Sequence, residues 1–391
     1  MNSDVDLAMA LMAVPGPTAH EGAISEALRK RLTDMGVPER CIRYDKAYEQ
    51  SEAGGEIGNL VVCLDGHGRG ERRLLSTHMD TVREAEGSRP RIEGARVVNA
   101  APGRALGADA RAGCACLLAA IRALMETGGN HGPRTFVFFV QEEIGLVGSR
   151  GLDVGLLGDP FPTMAFNFDG SRPDELVRAV VGVERLILDV QGVPAHASRP
   201  REGISAALIA ARALAKIEED GWNGAIEKPE GVGTANIGVL QGGTGSNVVM
   251  ASLSGLMEAR SFDRVFRGAI VEAWKQAFMD SAAVSNRLGA NLESKASVSF
   301  EPGPEYAPYR LADDAPVVTA AVQAMKACGL EPVLTEHWGG MDCNNIVAKG
   351  IPAVGTGTGG HHAHSVKEYL DIPEFSRACA LAVHLALAGS P

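Results

Sequence analysis

The chain has 391 residues but lacks paired cysteine motifs and long hydrophobic runs. Its seven cysteines are odd in number and scattered without a CxxC pair, which is typical of reduced thiols in a cytosolic protein. The N-terminal stretch is acidic, and its apolar run is interrupted by Pro15 and Gly16, so we expect neither a signal peptide nor a membrane anchor. These absences predict a cytoplasmic location.

Positive charge is also scarce. Lys and Arg number 37 against 48 Asp and Glu, and the formal net charge of -11 argues against nucleic acid or an anionic membrane as a partner. There is no internal repeat, low-complexity tract or dinucleotide-binding GxGxxG. A hydrophobic content of 45% with 22% charged residues is that of a soluble globular protein, and the length predicts two domains.

The most informative stretch, TFVFFVQEEIG, is a continuous apolar run that ends at two adjacent carboxylates, Glu142 and Glu143. The run is too short to span a membrane and too unbroken for a solvent-facing strand, so it predicts a strand buried on both faces. Ligands bind beyond the carboxyl ends of such strands, and two buried acids there would need a compensating cation. The alternative is that the two glutamates begin a helix and interact with its dipole.

Three more polar positions are expected at the same edge of the sheet. His78 follows an apolar strand, Asp109 precedes a helix, and Asp169 follows the strand TMAFNF. Taken singly, each has a structural alternative: a buried core histidine, a helix N-cap or a turn. For His78, the presence of Asp80 favours a metal ligand over a buried core histidine. A carboxylate two residues further on can accept the spare ring N–H of a metal-bound imidazole.

A second histidine would complete the cluster, and the candidates are His361, His362 and His364. Nitrogen and carboxylate ligands without thiolate favour zinc, with manganese or cobalt as substitutes. Five ligands that include a shared carboxylate suggest two metal ions. Structural zinc sites are usually closed and thiolate-rich, and no Cys is among these candidate ligands, which argues against a purely structural zinc.

The order of the predicted elements changes near residue 180. Residues 1–179 and 306–391 alternate strands and helices, which predicts a discontinuous α/β domain with three α/β/α layers and a mixed, largely parallel sheet. Residues 180–305 show the order β-α-β-β-α-β, which is typical of a ferredoxin-like α+β module. We therefore expect an inserted lid domain of the dimerisation type.

With these residues in place, the chain resembles the co-catalytic zinc metallopeptidases that include peptidase T, carboxypeptidase G and aminoacylase. The resemblance covers nearly the whole chain and has the lid in the expected place. Ala110 and Met341 depart from residues common in the family, and we expect them to bear on substrate preference. The motifs, in chain order, are STHMDTV, GADARAG, QEEIG, NFDG, VPAHASRP, GGTGSNVV, GGMDCNNIVAKGIPAVGTGTGG and HHAHSVKEYLDI.

The resemblance implies two Zn²⁺ per chain, with Asp109 bridging them. Asp80 would orient the first histidine ligand, and Glu142 would be the general base for attack by a metal-bridging hydroxide. The implied ligands are His78, Asp109, Glu143, Asp169 and His364.

The resemblance also implies substrate contacts. His196 would polarise the scissile carbonyl, in its own chain or in a partner chain, so the sequence leaves both arrangements open. Asn247 and Arg260 would hold the substrate's carboxylate. Gly357 and Gly359, in the GTGTGG loop, would line the substrate backbone. A homodimer through the lid domain is a further expectation.

The implied activity is that of a dizinc exopeptidase of short peptides, most like the peptidase T type that removes the N-terminal residue of tripeptides. Within the family, the alternative is a deacylase of N-acyl amino acids or a carboxypeptidase. The alternative from another class is a catalytically silent binding protein. A peptide substrate requires a place for a free α-amine, so a tripeptide and its N-acetylated form would separate the first two.

Overall fold

The computed structural model of the chain describes residues 3–388. Within them the chain forms nine α-helices and eighteen strands. The helices are α1 (Ser3–Met12), α2 (Gly22–Asp34), α3 (Ala108–Glu126), α4 (Val147–Gly151), α5 (Ala206–Glu219), α6 (Arg264–Leu288), α7 (Pro316–Ala327), α8 (Asp342–Ala348) and α9 (Ile372–Leu387).

The three longest strands lie between residues 182 and 261. They are β1 (Ile42–Tyr44), β2 (Leu60–Leu64), β3 (Arg73–His78), β4 (Pro90–Glu93), β5 (Arg96–Asn99), β6 (Arg134–Phe139), β7 (Met164–Phe168), β8 (Glu175–Val180), β9 (Gly182–Gln191), β10 (Gly224–Lys228), β11 (Gly231–Gly242), β12 (Ser252–Ser261), β13 (Ser297–Pro302), β14 (Tyr309–Arg310), β15 (Val333–His337), β16 (Ala353–Thr356), β17 (Gly360–His361) and β18 (Tyr369–Asp371).

The chain divides into two units. The first unit contains the described residues up to Val180 and from Arg310 onward, and the second unit is Val181–Tyr309. The boundaries expected from the sequence were 179/180 and 305/306. That the second unit is a lid stays a prediction.

The first unit is built on a mixed sheet of nine strands, counted over the described residues. Its order is β1-β2-β6-β3-β7-β16-β8-β14, with β15 also paired to β8. The four strands β6, β3, β7 and β16 run parallel to one another. The expected α/β fold with a mixed sheet is confirmed. A small separate sheet of order β17-β18-β5-β4 was not expected.

The central strand β6 is buried along its whole length. Phe136 and Phe138 join the core that also contains the apolar face of α3. Successive side chains of a strand point to opposite faces, so Val137 and Phe139 lie on the other side of the sheet, where they too are fully buried. This covering of both faces explains the unbroken apolar run in the sequence.

The second unit contains a five-stranded antiparallel sheet of order β10-β11-β12-β9-β13. Two helices, α5 and α6, supply most of the apolar side chains that pack on it, among them Ile209, Phe266 and Trp274. The order of elements along the unit is β-α-β-β-β-α-β, so the structure adds β10 to the series expected from the sequence.

No helix among residues 3–388 has both the length and the apolar character needed to cross a bilayer. The cytoplasmic location stays a prediction.

Candidate metal centre

The ends of three neighbouring parallel strands carry the polar residues of the site. His78 is the last residue of β3, Glu142 and Glu143 follow β6, and Asp169 comes directly after β7. These strands lie in the order β6-β3-β7, so their carboxyl ends meet at one edge of the sheet. Asp109, at the start of α3, joins them there, in a pocket of about 320 Å³ within the first unit.

The acidic and histidine side chains form two groups that could each hold a metal ion. In the first group, His78 Nε2 lies 3.1 Å from Asp109 Oδ1 and 3.8 Å from Asp169 Oδ1. In the second group, His364 Nε2 lies 3.3 Å from Asp109 Oδ2 and 2.9 Å from Glu143 Oε1. Asp109 therefore belongs to both groups and offers one carboxylate oxygen to each, as a bridging ligand would.

The electrostatics of the pocket favour cations. Burial raises the pKa of Glu142 well above its usual range, and the nearby Asp169 charge adds to the effect. Burial and the charge of Asp109 raise the pKa of Asp169 to about 8, and burial also raises the pKa of Glu143. A divalent cation would stabilise the ionised form of these carboxyl groups, because it offsets their mutual repulsion and the cost of burying their charge. The donor set of imidazole and carboxylate, without thiolate, fits zinc, manganese or cobalt.

The two histidines and the carboxylates around them shift one another's pKa. Burial opposes protonation of His78, but its hydrogen bonds with Asp109 and Asp80 raise its pKa well above the usual range. Asp109 and Glu143 raise the pKa of His364 to about 11. Burial opposes ionisation of Asp109, but His364 and His78 lower its pKa. Imidazole binds a metal in its neutral form, so metal binding here would release these protons.

Asp80, expected to orient His78, makes contacts beyond that histidine. His78 Nδ1 lies 3.3 Å from Asp80 Oδ1 and 3.2 Å from the backbone oxygen of the same residue. The N–H of Glu142 donates to Asp80 Oδ1 at 3.0 Å, and that of Glu143 approaches Oδ2 at 3.3 Å. Thr18 Oγ1 donates to the same carboxylate at 2.8 Å. One buried carboxylate therefore holds both the histidine and the backbone of the glutamate pair.

Glu21 supports the same backbone and was missed in the sequence. Gln141, which precedes the glutamate pair, has a φ of 52°, and its N–H donates to Glu21 Oε1 at 3.1 Å. The N–H of Ala19 donates to the same oxygen at 2.9 Å. Burial and then the charge of Asp80 raise the pKa of Glu21 to about 7. In the sequence, Glu21 is only an acid at the start of a helix, a position common for structural reasons.

The two adjacent glutamates occupy different environments. Both side chains line the pocket, but of the two only Glu143 belongs to a ligand group, in which it contacts His364. The following helix, α4, begins only at Val147, so the pair does not form its first turn. The N–H groups of Gly145 and Leu146 donate to the backbone oxygen of Glu142, so the chain turns directly after the pair.

The loop around Asp109 is held from the C-terminal part of the chain. Glu368, also missed in the sequence, accepts the N–H groups of Gly107 at 2.8 Å and of Asp109 at 3.1 Å. Gly107, rather than Asp109, is the N-cap of α3. The backbone of Asp109 and Ala110 is not helical, and the peptide bond between them is cis.

The other two candidate histidines have different surroundings. His361 Nε2 lies 2.7 Å from Glu374 Oε2, and its ring stacks on Tyr369 at 4.9 Å. The ring of His362 lies 5.8 Å from that of Tyr369. Neither residue belongs to the two ligand groups found in residues 3–388.

The glycine-rich loop after β16 contributes to the wall of the pocket. Gly357 lines it, and a Cβ at this position would lie 2.4 Å from the backbone oxygen of Arg172. Gly359 has a φ of 86°, which favours glycine. Both positions therefore require glycine for the loop to adopt this path.

The remaining expected substrate residues lie in the second unit. His196 is exposed, and its Nδ1 lies 2.8 Å from Ser198 Oγ. The backbone oxygen of Asn247 accepts the N–H of Ala197 at 2.9 Å, so Asn247 is close to His196 in this unit. Arg260 lies on β12, with its Nη2 2.7 Å from Glu258 Oε1. Their roles toward the substrate stay predictions.

The fold and the two ligand groups define a candidate dinuclear metal site in an α/β unit. Residues 74–388 match the model of Peptidase family M20/M25/M40, and the chain belongs to this family. The resemblance recognised in the motifs is thereby confirmed.

Two relatives in sequence illustrate the range of similarity. The chain is 31% identical over 374 residues to the uncharacterized protein YqjE of Bacillus subtilis (strain 168), covering 95% of this chain and 94% of the relative. It is 26% identical over 292 residues to Peptidase T of Escherichia fergusonii, covering 72% of this chain and 65% of that protein.

Solved structures are similar over almost the whole length. The aminopeptidase PepT from Bacillus cereus ATCC 10987 superposes with a TM-score of 0.84 and 31% identity, covering 98% of this chain and 97% of that one. A tripeptidase from Staphylococcus aureus subsp. aureus Mu50 also gives 0.84, with 26% identity and coverage of 98% and 96%. The YXEP protein of Bacillus subtilis, a dinuclear metal-binding peptidase of the M20 family, has a TM-score of 0.68 at 17% identity and shows similarity of fold alone.

Proposed function

We propose that this chain is a metal-dependent aminopeptidase that removes the N-terminal residue of tripeptides. The observation that carries the proposal is the position of Asp109, whose two oxygens serve two adjacent ligand groups in the pocket that Glu142 also lines. Similarity over 95% or more of the chain to an aminopeptidase and a tripeptidase supports the choice of substrate.

The proposed cofactor is a pair of zinc ions, for which manganese or cobalt could substitute. The proposed ligands are His78, Asp109, Glu143, Asp169 and His364, with Asp109 common to both ions. When bound, such ions polarise the scissile carbonyl and lower the pKa of water toward neutrality.

The proposed general base is Glu142. Its carboxylate would accept a proton from the attacking water as the new C–O bond forms, and would then deliver that proton to the departing amine as the amide C–N bond breaks. Glu21 and Asp80 would keep this base in place, because they bind the consecutive N–H groups of residues 141–143. Held in this way, the base need not reorganise during the reaction.

For the second unit we keep the roles expected from the sequence. His196 would polarise the scissile carbonyl and stabilise the negative charge on its oxygen, an effect worth about 3 kcal/mol for one donor. Asn247 and Arg260 would bind the substrate's carboxylate. A homodimer through residues 181–309 belongs to the same proposal.

The test combines metal analysis with a small substrate panel. We expect two metal ions per chain after reconstitution and faster turnover of free tripeptides than of their N-acetylated forms. Faster cleavage of the acetylated compounds would replace the proposal with a deacylase or carboxypeptidase. Fewer than two ions per chain would remove the bridging role of Asp109. Absence of any turnover across the panel would favour a silent binding protein.

A further inference from the structure

One acidic residue of the pocket belongs to neither ligand group and is not the proposed base. Of the pocket-lining residues in the described part of the chain, five are Asp or Glu, three are His and none is Lys or Arg. Asp109, Glu143 and Asp169 are the proposed ligands and Glu142 the base, which leaves Glu175. When ionised, these five carboxylates outweigh the four positive charges of two divalent ions by one. The pocket therefore favours a substrate group that carries a positive charge.

The backbone around Glu175 directs its side chain toward the pocket. Glu175 is the first residue of β8, and Val177, two residues on, also lines the pocket. Leu176 between them belongs to the apolar core on the opposite face. Strand β8 pairs with β15 at Glu175 and with β16 at Val177. The carboxylate is therefore anchored on a strand with partners on both sides, which suits the precise placement of a ligand.

The nearest cation leaves Glu175 only weakly compensated. Arg172 Nε lies 3.9 Å from Glu175 Oε1. The same guanidinium donates to both carboxylate oxygens of Asp174, at 3.0 and 2.6 Å. A bidentate pair of this kind engages the arginine far more strongly than a contact at 3.9 Å. The side chain of Glu175 is 43% exposed, so a ligand can reach it.

We propose that Glu175 binds the α-ammonium group of the substrate's N-terminal residue. This inference rests on the proposed aminopeptidase function. In an aminopeptidase substrate, only one carbon separates the α-ammonium from the carbonyl that is attacked, so the ammonium must lie in the same pocket as Glu142. Glu175 is the carboxylate there that has no other assigned task. It acts in substrate selection, by favouring peptides with a free amine over blocked ones.

The test measures how strongly each variant prefers a free amine. Wild type and Glu175→Gln are compared on a tripeptide, on its N-acetylated form and on a des-amino analogue with hydrogen in place of the amine. We expect kcat/KM for the free tripeptide to fall about 10- to 100-fold in the variant, mainly through KM, as befits a lost charge-assisted hydrogen bond. Turnover of the two compounds without an ammonium should stay the same, and so should the metal content.

Two further variants serve as controls. Glu175→Asp keeps the charge on a shorter side chain and should recover part of the preference for a free amine. Glu331→Gln removes the same charge from an exposed residue of the first unit that does not line the pocket. We expect this variant to behave as wild type, since it controls for the change in net charge.

The outcomes separate this inference from the function on which it rests. If wild type itself cleaves the acetylated tripeptide faster, the aminopeptidase proposal fails. If wild type prefers the free amine and Glu175→Gln keeps the same preference, the role of Glu175 is overturned while the function stands. A loss of metal in Glu175→Gln would also overturn the role, because the carboxylate would then serve the metal centre.

Discussion

The two units of the chain bury different kinds of side chain. The described part of the second unit buries a single charged residue, Arg267, which donates to the backbone oxygen of Tyr306 at 3.0 Å and lies 3.4 Å from Glu184. The first unit buries many more, and they are Glu21, Asp45, Arg72, His78, Asp80, Arg111, His131, Arg134, Asp342 and Glu368.

The greater number of buried charges marks the unit that contains the metal pocket. An antiparallel sheet covered by two helices needs only apolar contacts, and the second unit has a core of that kind. In the first unit, burial and then the charge of Asp80 raise the pKa of Asp342, which follows the pocket-lining Met341, to about 7. Buried charge opposes folding unless it is compensated. Arg72 and Arg134, at the amino ends of β3 and β6, donate to backbone oxygens. The buried acids around the pocket raise one another's pKa instead, which indicates a functional requirement.

Removal of metal should have the largest effect, and only in the first unit. We expect a chelator to abolish turnover and to increase hydrogen exchange in segments 76–80, 107–110 and 141–143, because the clustered carboxylates then repel one another. Exchange in residues 181–309 should change little, and added zinc should restore both properties. Hydrogen exchange with mass spectrometry makes the comparison. Full turnover in the presence of the chelator, or equal loosening of both units, would contradict it.

Glu142→Gln should have the next largest effect. Without a carboxylate to take the proton, turnover should fall by about 100-fold or more, while both metal ions remain bound. The matched control is Glu143→Gln, which alters the residue that contacts His364 and should lower the metal content. Kinetics with metal analysis of both variants make the distinction. Equal metal loss in the two variants would show that the glutamates do not have separate roles.

Glu21→Gln should change turnover less than tenfold, because glutamine keeps an oxygen for the N–H of Gln141. Its main effect should be on pH dependence. The pKa of Glu21 is raised from 4.5 to about 7, so the folded state binds this proton more tightly than the unfolded chain does. The stability contributed by the proton is therefore full below about pH 4.5 and is lost as the pH rises through about 7.

Between about pH 5 and pH 8, wild type should lose roughly 2 kcal/mol more unfolding free energy than Glu21→Gln does. Denaturant unfolding at both pH values measures this difference. Glu26→Gln, an exposed change on the same helix, should retain the wild-type slope. Equal slopes for wild type and Glu21→Gln would mean that Glu21 is ionised throughout this range.

Trp274→Phe should have the smallest effect on turnover. Trp274 is fully buried in the second unit, and its Nε1 donates to the backbone oxygen of Trp222 at 2.8 Å. Losing this bond and some volume should destabilise the second unit by about 1–3 kcal/mol. Metal content should stay at the wild-type value, as measured on the same preparation. A loss of metal would show that the two units are not independent in this respect.

The sequence was most informative where the signal is local. The apolar run before Glu142 and the HxD spacing of His78 and Asp80 depend on neighbours in the chain, and both predicted strand ends are found. The same holds for residues 21–36, where Ile24, Leu28 and Leu32 are spaced four apart before a glycine and a helix forms over Gly22–Asp34. Periodicity and turn residues suffice for such elements.

Contacts between distant segments left no such signal. Strand β8, which carries Glu175, was missed because its partners β15 and β16 lie more than 150 residues further along the chain. The short strands of the small sheet pair residues 96–98 with 369–371, and neither segment has a clear alternation of its own. The contacts of Glu21 with Gln141 and of Glu368 with Asp109 are equally non-local. In the sequence, Glu21 and Glu368 cannot be told from other acidic residues, because their partners are brought close only by the fold.

The central sheet is interrupted in the chain by the whole second unit. Strands β7 and β8 precede residues 181–309, while β15 and β16, which pair with them, follow. On the ribosome, the second unit therefore emerges and can fold while β7 still lacks one neighbour. His364 emerges later still, so a prematurely terminated chain would lack the second ligand group. With the ligands proposed here, a product that ends before His364 would therefore be inactive.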